Sequence, residues 1–256
     1  MKVLAIVGGA GRMGQALARG LSARDDFNVA ALVDAHEPGA LFGAAFFARV
    51  DDLDASRIDV VIDFSSPEGV ASSAKWCAAN GVALVVGTTG LSDEHRGALE
   101  AASQRVGVVV AANFAIGAVL SERFAAMAAP YFERVEIIEL HHDSKVDAPS
   151  GTSIATAETV ARARKAKGLG ALLDSTKSHT FEGARGADVV DGVKVHSVRL
   201  PGLVAHQEIL FGSRGEGLTI RHDSYDRESF LPGVAIAVSH VDAAKPGLLL
   251  GIDSLL

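Results

Sequence analysis

One cysteine, Cys77, in 256 residues leaves no partner for a disulfide within the chain and no multi-cysteine metal site, and it suits a reducing compartment. A basic excess is also lacking. The 24 Lys and Arg stand against 31 Asp and Glu, a net charge of −7, which argues against a nucleic-acid binder. No apolar run reaches the length of a membrane span, and the opening Met-Lys-Val-Leu-Ala-Ile-Val is too short for a signal peptide. No Gly-x-x-x-x-Gly-Lys-Ser/Thr segment exists, which excludes a P-loop kinase. His206, His222 and His240 are scattered without the spacing of a metal cage. With 48% hydrophobic and 21% charged residues the chain is globular rather than disordered. The expectation is a soluble cytoplasmic protein with no metal, no membrane association and no nucleic-acid partner.

What the chain does have is glycine, 27 residues of it, and a regular alternation of short β-rich runs with helical patterns. Lys2 to Val7, Asn28 to Val33, Val60 to Phe64, Val82 to Val86 and Val106 to Ala111 read as strands without in/out alternation. Helical patterns at Gly14 to Ala23, Pro67 to Asn80 and Ser92 to Arg105 separate several of them, which predicts a parallel sheet covered on both faces. After Asn113 the pattern changes. Helices are predicted at Ala115 to Pro130 and Thr152 to Lys167, with a strand between them at Val135 to Leu140. A long loop is expected from Leu169 to Asp191, then three strands at hairpin spacing at 194–200, 207–211 and 218–222. A last helix, Arg227 to Val241, and a strand, Leu248 to Ile252, are expected to return to the first domain. The fold expected is α/β: a Rossmann-like doubly wound parallel sheet formed by residues 1–113 and 223–256, interrupted by an α+β domain on a mixed sheet at 114–222.

The glycine turn Gly8-Gly9-Ala10-Gly11-Arg12-Met13-Gly14 follows a strand and opens a helix, so its amides and the helix dipole can receive a pyrophosphate. Asp34, twenty residues beyond Gly14 at the end of the second strand, can accept hydrogen bonds from the ribose hydroxyls of NAD. Its charge disfavours a 2′-phosphate while Arg12 could swing toward one, so NADH is favoured and NADPH stays open. Gly87-Thr88-Thr89-Gly90 and Ala111-Ala112-Asn113-Phe114 follow the ends of further parallel strands, where ligands bind in such sheets. Small residues there let a flat nicotinamide ring lie close to the backbone.

The most specific segment is Glu139-Leu140-His141-His142-Asp143-Ser144-Lys145-Val146-Asp147-Ala148-Pro149-Ser150-Gly151-Thr152. It places two histidines and a lysine where a strand gives way to a loop, and the loop ends at a helix start. Histidine can pass a proton near neutral pH, lysine is a fixed cation, and the Gly151 and Thr152 amides can receive a carboxylate capped beside Ser150. Together they suit an anionic, proton-accepting small molecule. The plainer alternatives are a polar strand edge with a routine helix cap and, for Arg185 and Arg199, ordinary ion pairs. Cys77, beside Trp76 on a helix, reads as a core thiol.

These segments, in this order and with Gly183-Ala184-Arg185-Gly186 and Val204-Ala205-His206-Gln207 further on, resemble the 4-hydroxy-tetrahydrodipicolinate reductase family of bacterial lysine biosynthesis over essentially the whole chain. The resemblance implies a nicotinamide-dependent oxidoreductase of the diaminopimelate route. Its cofactor, NADH and/or NADPH, would be held by Gly8 to Met13, Asp34, Gly87 to Thr89 and Ala111 to Phe114. The resemblance further implies His141 as the acid that protonates the reduced substrate and Lys145 as the second catalytic group. His142, Gly151 and Thr152 would bind the substrate carboxylates. The second domain would bind the small dicarboxylate substrate and build a homotetramer. Two departures are small: Ala112 stands where the family often has Pro, and Ser153 where Ala is usual. Two other readings remain open, a nicotinamide-sensing regulator and a dehydrogenase acting on aspartate or a semialdehyde. The first leaves His141 and Lys145 without purpose, and the second needs a thiol or a different acid/base set.

Overall fold

The computed structural model describes residues 1–256 in two compact units, one of residues 1–115 and 227–256 and one of 116–226. In the first unit seven strands form one parallel sheet: β1 (Lys2–Val7), β2 (Phe27–Val33), β3 (Ala45–Phe47), β4 (Val60–Asp63), β5 (Ala83–Val86), β6 (Gly107–Val110) and β12 (Gly247–Leu250). Their order is β12-β6-β5-β4-β1-β2-β3. The chain steps outward from β1 in one direction through β2 and in the other through β4, so the direction of winding reverses beside β1. Ligands enter such sheets at that reversal, beyond the carboxyl ends of the strands.

The helices start where local chemistry says they should. α1 (Arg12–Ser22) follows the glycine turn; α2 (Pro67–Asn80) has Pro67 in its first turn and a Ser66 side chain accepting from Gly69 N at 3.2 Å. It ends at Gly81, whose φ of +67° is the left-handed conformation that stops a helix. α3 (Asp93–Ser103) opens with a capping box between Ser92 and His95. Strands β4 and β5 are buried along their whole length, which is why they read as apolar runs without alternation. Cys77 is fully buried among them, and burial pushes its thiol pKa far up, so it is a core group and no nucleophile.

β3 was not expected. Its three residues are too few for a periodic signal, and it gains definition only by pairing with β2 through Leu32 and Phe46. The return of the chain to this sheet is seen in α6 (Leu231–His240), preceded by a short 3₁₀ turn at Arg227–Phe230, and in β12 beside β6.

The second unit is a mixed sheet of order β11-β10-β7-β9-β8, with α4 (Ile116–Ala128) and α5 (Gly151–Ala166) packed on it. Its strands are β7 (Arg134–His141), β8 (Ala187–Val190), β9 (Val193–Arg199), β10 (Ala205–Ser213) and β11 (Glu216–Ser224). Val135, Ile137, Ile209 and Phe211 face Ala157 and Val160 of α5 in one core. The three expected hairpin strands are rearranged. β10 and β11 do form a hairpin, but β7 lies between β9 and β10, parallel to the first and antiparallel to the second. β9 pairs instead with β8, which lies in the stretch expected as loop. β8 is four residues long, and its register shifts at Val190, so no alternation marks it. No helix of the chain is long and apolar enough to cross a membrane.

Candidate active site

In the first unit β1 runs into Gly8, where φ is +83° and a Cβ would stand 2.4 Å from the Phe64 carbonyl oxygen. The Gly8 and Gly9 amides both donate to Val33 O, at 2.9 and 3.1 Å, and tie the turn to the end of β2. A Cβ on Gly14 would stand 2.1 Å from Gly8 O, so only glycine lets α1 come down this closely on the strand end. Gly11 caps α1 without any side-chain hydrogen bond to the first-turn amides, an end suited to an anion supplied from outside. Gly14→Ala is expected to cost about 1–3 kcal/mol, because the obstructing atoms are backbone. A urea titration, paired with a titration of nicotinamide fluorescence, checks the accompanying loss of cofactor affinity.

Asp34 sits at the end of β2 with its side chain 18% exposed. Oδ2 accepts from Ala10 N at 3.0 Å and Oδ1 from His36 N at 3.1 Å, so the carboxylate is held against the glycine turn. Gln15 was missed by the sequence reading. Its Nε2 donates to Gly9 O at 2.7 Å and Ala40 O at 3.0 Å, and its Oε1 accepts from Ala40 N at 3.1 Å. It braces the turn from the segment beyond Asp34, and its only sequence signal was an amide in the first turns of the helix. Gly8, Gly11, Asp34 and Phe64 line one cavity of about 520 Å³.

Asp63, at the end of β4, is also absent from the sequence reading. It is wholly buried and accepts from Ser65 N (3.0 Å), Ser65 Oγ (2.6 Å), Ser73 Oγ (2.6 Å) and Thr88 Oγ1 (3.0 Å). Burial pushes its pKa up, and these hydrogen bonds draw it only part of the way back. Thr88 Oγ1 also accepts from Ser65 N at 2.9 Å, so the Thr88 hydroxyl is directed into this network and latches one sheet-end loop to the next. Asp63→Ala leaves buried hydroxyls without an acceptor, an expected loss of about 1–3 kcal/mol visible in a denaturant midpoint. Gly87 abuts the Phe64 ring, Ala111 N donates to Val86 O at 3.0 Å, and Asn113 Oδ1 accepts from Ala115 N at 2.9 Å. Phe114 is fully buried, 5.6 Å from Phe64 between ring centroids, and packs the floor of this end of the sheet.

In the second unit β7 carries Glu139 and His141 on one face, two residues apart. Glu139 is fully buried and is the hub of the site. Arg199, from the end of β9, donates Nη1 to Oε2 at 2.8 Å and Nη2 to Oε1 at 2.7 Å, and Ser150 N reaches Oε1 at 3.3 Å. His141 Nδ1 lies 2.5 Å from Oε2. A carboxylate can only accept, so the Nδ1 proton points at Glu139 and Nε2 is left as the atom that can release a proton. Burial alone would raise the Glu139 pKa, but Arg199 and the neighbouring donors outweigh it and hold the carboxyl below its usual range. Burial lowers the His141 pKa; Glu139 opposes that, and the charges of Lys145 and Arg199 add to it.

The loop after β7 is drawn to the same place. Arg199 Nη2 donates to Asp147 O at 2.7 Å, Lys145 Nζ pairs with Asp147 Oδ1 at 2.6 Å, and His142 Nδ1 lies 2.8 Å from Ser144 Oγ. The loop then enters α5 at Ser150, whose Oγ accepts from Ser153 N at 3.2 Å. Ser153, the departure from the family pattern, is not idle: its hydroxyl donates to Gln207 Oε1 at 2.7 Å, and Gln207 Nε2 donates to Thr156 Oγ1 at 3.0 Å. Thus β10 steadies the first turn of α5. Around Gly151 nothing lies within 4 Å of where a Cβ would be, which leaves room for a ligand beside that turn.

The structure therefore gathers His141, Glu139, Arg199 and Lys145 around one loop and places Gly151 and Thr152 at the helix start that closes it. Arg199 and Arg185 are ion-paired, the latter to Glu136. His206 donates Nδ1 to Asp223 at 2.7 Å while Nε2 accepts from Val204 N, so it is a satisfied structural histidine. No group of three or more His, Cys, Asp or Glu side chains is placed to hold a metal ion.

Comparison with known proteins covers both units. Residues 1–114 match the family model described as dihydrodipicolinate reductase, N-terminus, and residues 117–256 match the one described as dihydrodipicolinate reductase, C-terminus. A 4-hydroxy-tetrahydrodipicolinate reductase of Nocardia farcinica is 49% identical over 255 residues, 98% of this chain and 97% of that protein. One of Mycolicibacterium vanbaalenii is 50% identical over 254 residues, with 98% and 97% covered. The solved structure of a dipicolinate-bound dihydrodipicolinate reductase from a Paenisporosarcina species is 39% identical and covers 100% of both chains with a TM-score of 0.86. An aspartate dehydrogenase of Thermotoga maritima, at 13% identity and a TM-score of 0.51, covers 93% of this chain and 96% of its own and shares the fold alone.

Proposed function

This chain belongs to the dihydrodipicolinate reductase family, and from that premise we propose that it reduces 4-hydroxy-2,3,4,5-tetrahydrodipicolinate to tetrahydrodipicolinate with NADH or NADPH, in the diaminopimelate route to lysine. The observation that carries this reading is the Glu139–His141 pair at the end of β7, beside Lys145 and the start of α5. It matches an anionic ring that must be protonated once.

The parts divide between the two units. Residues 1–115 and 227–256 hold the cofactor: the glycine turn and the uncapped start of α1 fit a pyrophosphate, and Asp34 fits the ribose hydroxyls. When bound, the dihydronicotinamide supplies a hydride. Residues 116–226 hold the substrate, with His142 and the Gly151 and Thr152 amides on its carboxylates and Lys145 as the second catalytic group. After loss of water the substrate carries a conjugated C=C–C=N unit. Hydride addition at its far carbon moves the electron pair toward nitrogen and leaves an enamine. His141 Nε2 then delivers the proton that completes the reduction, and Glu139 steadies the imidazolium before transfer and the tautomer after it. Fixed cations and helix amides stabilise the negative charge that builds up in the transition state without needing to reorganise.

The homotetramer expected of the family would use the sheet face opposite α4 and α5, where Ile138, Leu140 and Leu210 alternate with the core residues of β7 and β10. Light scattering on the purified chain tests it. The reaction is tested by following the loss of dihydronicotinamide absorbance with pyruvate and aspartate semialdehyde freshly condensed by the upstream synthase. Rapid oxidation is expected; tight binding of the cofactor with no turnover would mark a sensor instead. Asp34→Ala is expected to weaken NADH binding about 10- to 100-fold, the loss of charge-assisted hydrogen bonds of about 1.5–3 kcal/mol. An unchanged dissociation constant would remove Asp34 from the ribose.

A further inference from the structure

The cavity beside the glycine turn is lined by more than the residues expected to hold a cofactor. β3 lies alongside β2, and Asp34 N donates to Phe47 O at 3.2 Å, so the residues just after β3 come up beside those just after β2. Arg49 and Asp51 line the same cavity of about 520 Å³ as Asp34, and Arg49 is the one cation in its wall. Arg49 Nη2 is bound to Asp51 Oδ2 at 2.6 Å. The wall thus carries two carboxylates and one guanidinium, and that guanidinium is engaged.

Resting on the reading that this cavity holds the ribose end of a nicotinamide cofactor, we propose that Asp51 is a specificity-determining residue: by holding Arg49 it withholds the one cation of the cavity wall from a 2′-phosphate. NADH presents two ribose hydroxyls, which Asp34 alone can accept. NADPH presents a phosphate dianion to the same wall, where Asp34 and Asp51 repel it and Arg49 must first leave its partner. The chain accordingly prefers NADH, and the preference is set on β3 as well as on β2. Arg49 and Asp51 are 73% and 57% exposed on their side chains, so the pair can be opened without disturbing a core. It is a weak lock, and releasing it is enough to shift the balance.

The test is the ratio of KM for NADPH to KM for NADH in the full-length enzyme, for Asp51→Asn, for Arg49→Ala and for the double variant. Asp51→Asn is expected to lower the ratio about five- to tenfold, and adding Arg49→Ala is expected to return it to the wild-type value or above. An unchanged ratio in Asp51→Asn overturns the proposal. So does a double variant that keeps the lowered ratio, since repulsion by Asp51 would then act without Arg49. If the wild type oxidises neither cofactor with substrate, it is the assigned reaction that fails. If both are oxidised and the variants leave the ratio alone, only the role of Asp51 fails. Thermal melts of the variants in the absence of cofactor confirm that each is folded when the ratio is read.

Discussion

His141→Gln is expected to lower kcat by about 10²–10⁴-fold and to leave the substrate KM nearly unchanged, because the role proposed for the lost group is to act on a proton in flight rather than on the bound carboxylates. Gln fills a similar volume and can still meet Glu139 through its amide NH₂, so the fold and Arg199 keep their places. The pH profile sharpens the expectation. Burial, with Lys145 and Arg199 nearby, lowers the His141 pKa in the free protein. The protonated form is the acid, so kcat/KM, which reports the free enzyme, falls as pH rises through a value below the ordinary histidine pKa of about 6.5. Two substrate carboxylates in the site favour imidazolium, so the limb in kcat lies at higher pH than the limb in kcat/KM. A single limb shared by both, or one that survives in His141→Gln, would take the proton away from His141.

The second large effect is Glu139→Ala. It removes the acceptor of a half-buried guanidinium, an imidazole and a backbone amide at once, and breaking such a pair from one side costs about 3 kcal/mol, the low end for buried pairs because Arg199 keeps some contact with solvent. That is a large part of the stability of an ordinary domain. Glu139→Gln separates structure from chemistry: the shape stays, most of the fold is retained, but the amide cannot hold the Nδ1 proton as a carboxylate does, and kcat falls. The wild type is expected to depend on acid in the same way. The Glu139 carboxyl is held below its unfolded pKa, so its contribution to stability is present above the unfolded value of about 4.3 and is lost as pH falls toward and through the folded one. Urea midpoints between about pH 6 and pH 3 should fall more steeply for the wild type than for Glu139→Gln.

Much of this site was legible before any fold was known, because its chemistry lies in short local patterns. The glycine turn, Asp34 and the run from His141 to Thr152 needed only residue types at a spacing. The groups that were missed act across chain separations that spacing does not register. Glu139 stands two residues before His141, on the same strand face, yet it gains meaning only when Arg199 arrives from β9, sixty residues on. Asp63 carries no signal in its neighbours, and its role emerges only where Ser73 and Thr88 converge on it. Thr88, expected beside a nicotinamide ring, turns its hydroxyl toward Asp63.

The sequence by itself determined which segments are strands and helices where they are long and fully buried or strongly capped, because burial on both faces and helix caps are written in neighbouring residues. It determined the two-part organisation for the same reason. Only the tertiary structure decided the order of strands in the mixed sheet, where β7 lies between β9 and β10, and the existence of β3 and β8. Strand order and short edge strands follow from which surfaces find partners once the chain has collapsed, an energy shared among residues far apart. The same holds for the pairing of Arg49 with Asp51 beside Asp34: one strand of three residues, invisible as a pattern, places a second carboxylate and the only lining cation at the cavity beside the glycine turn.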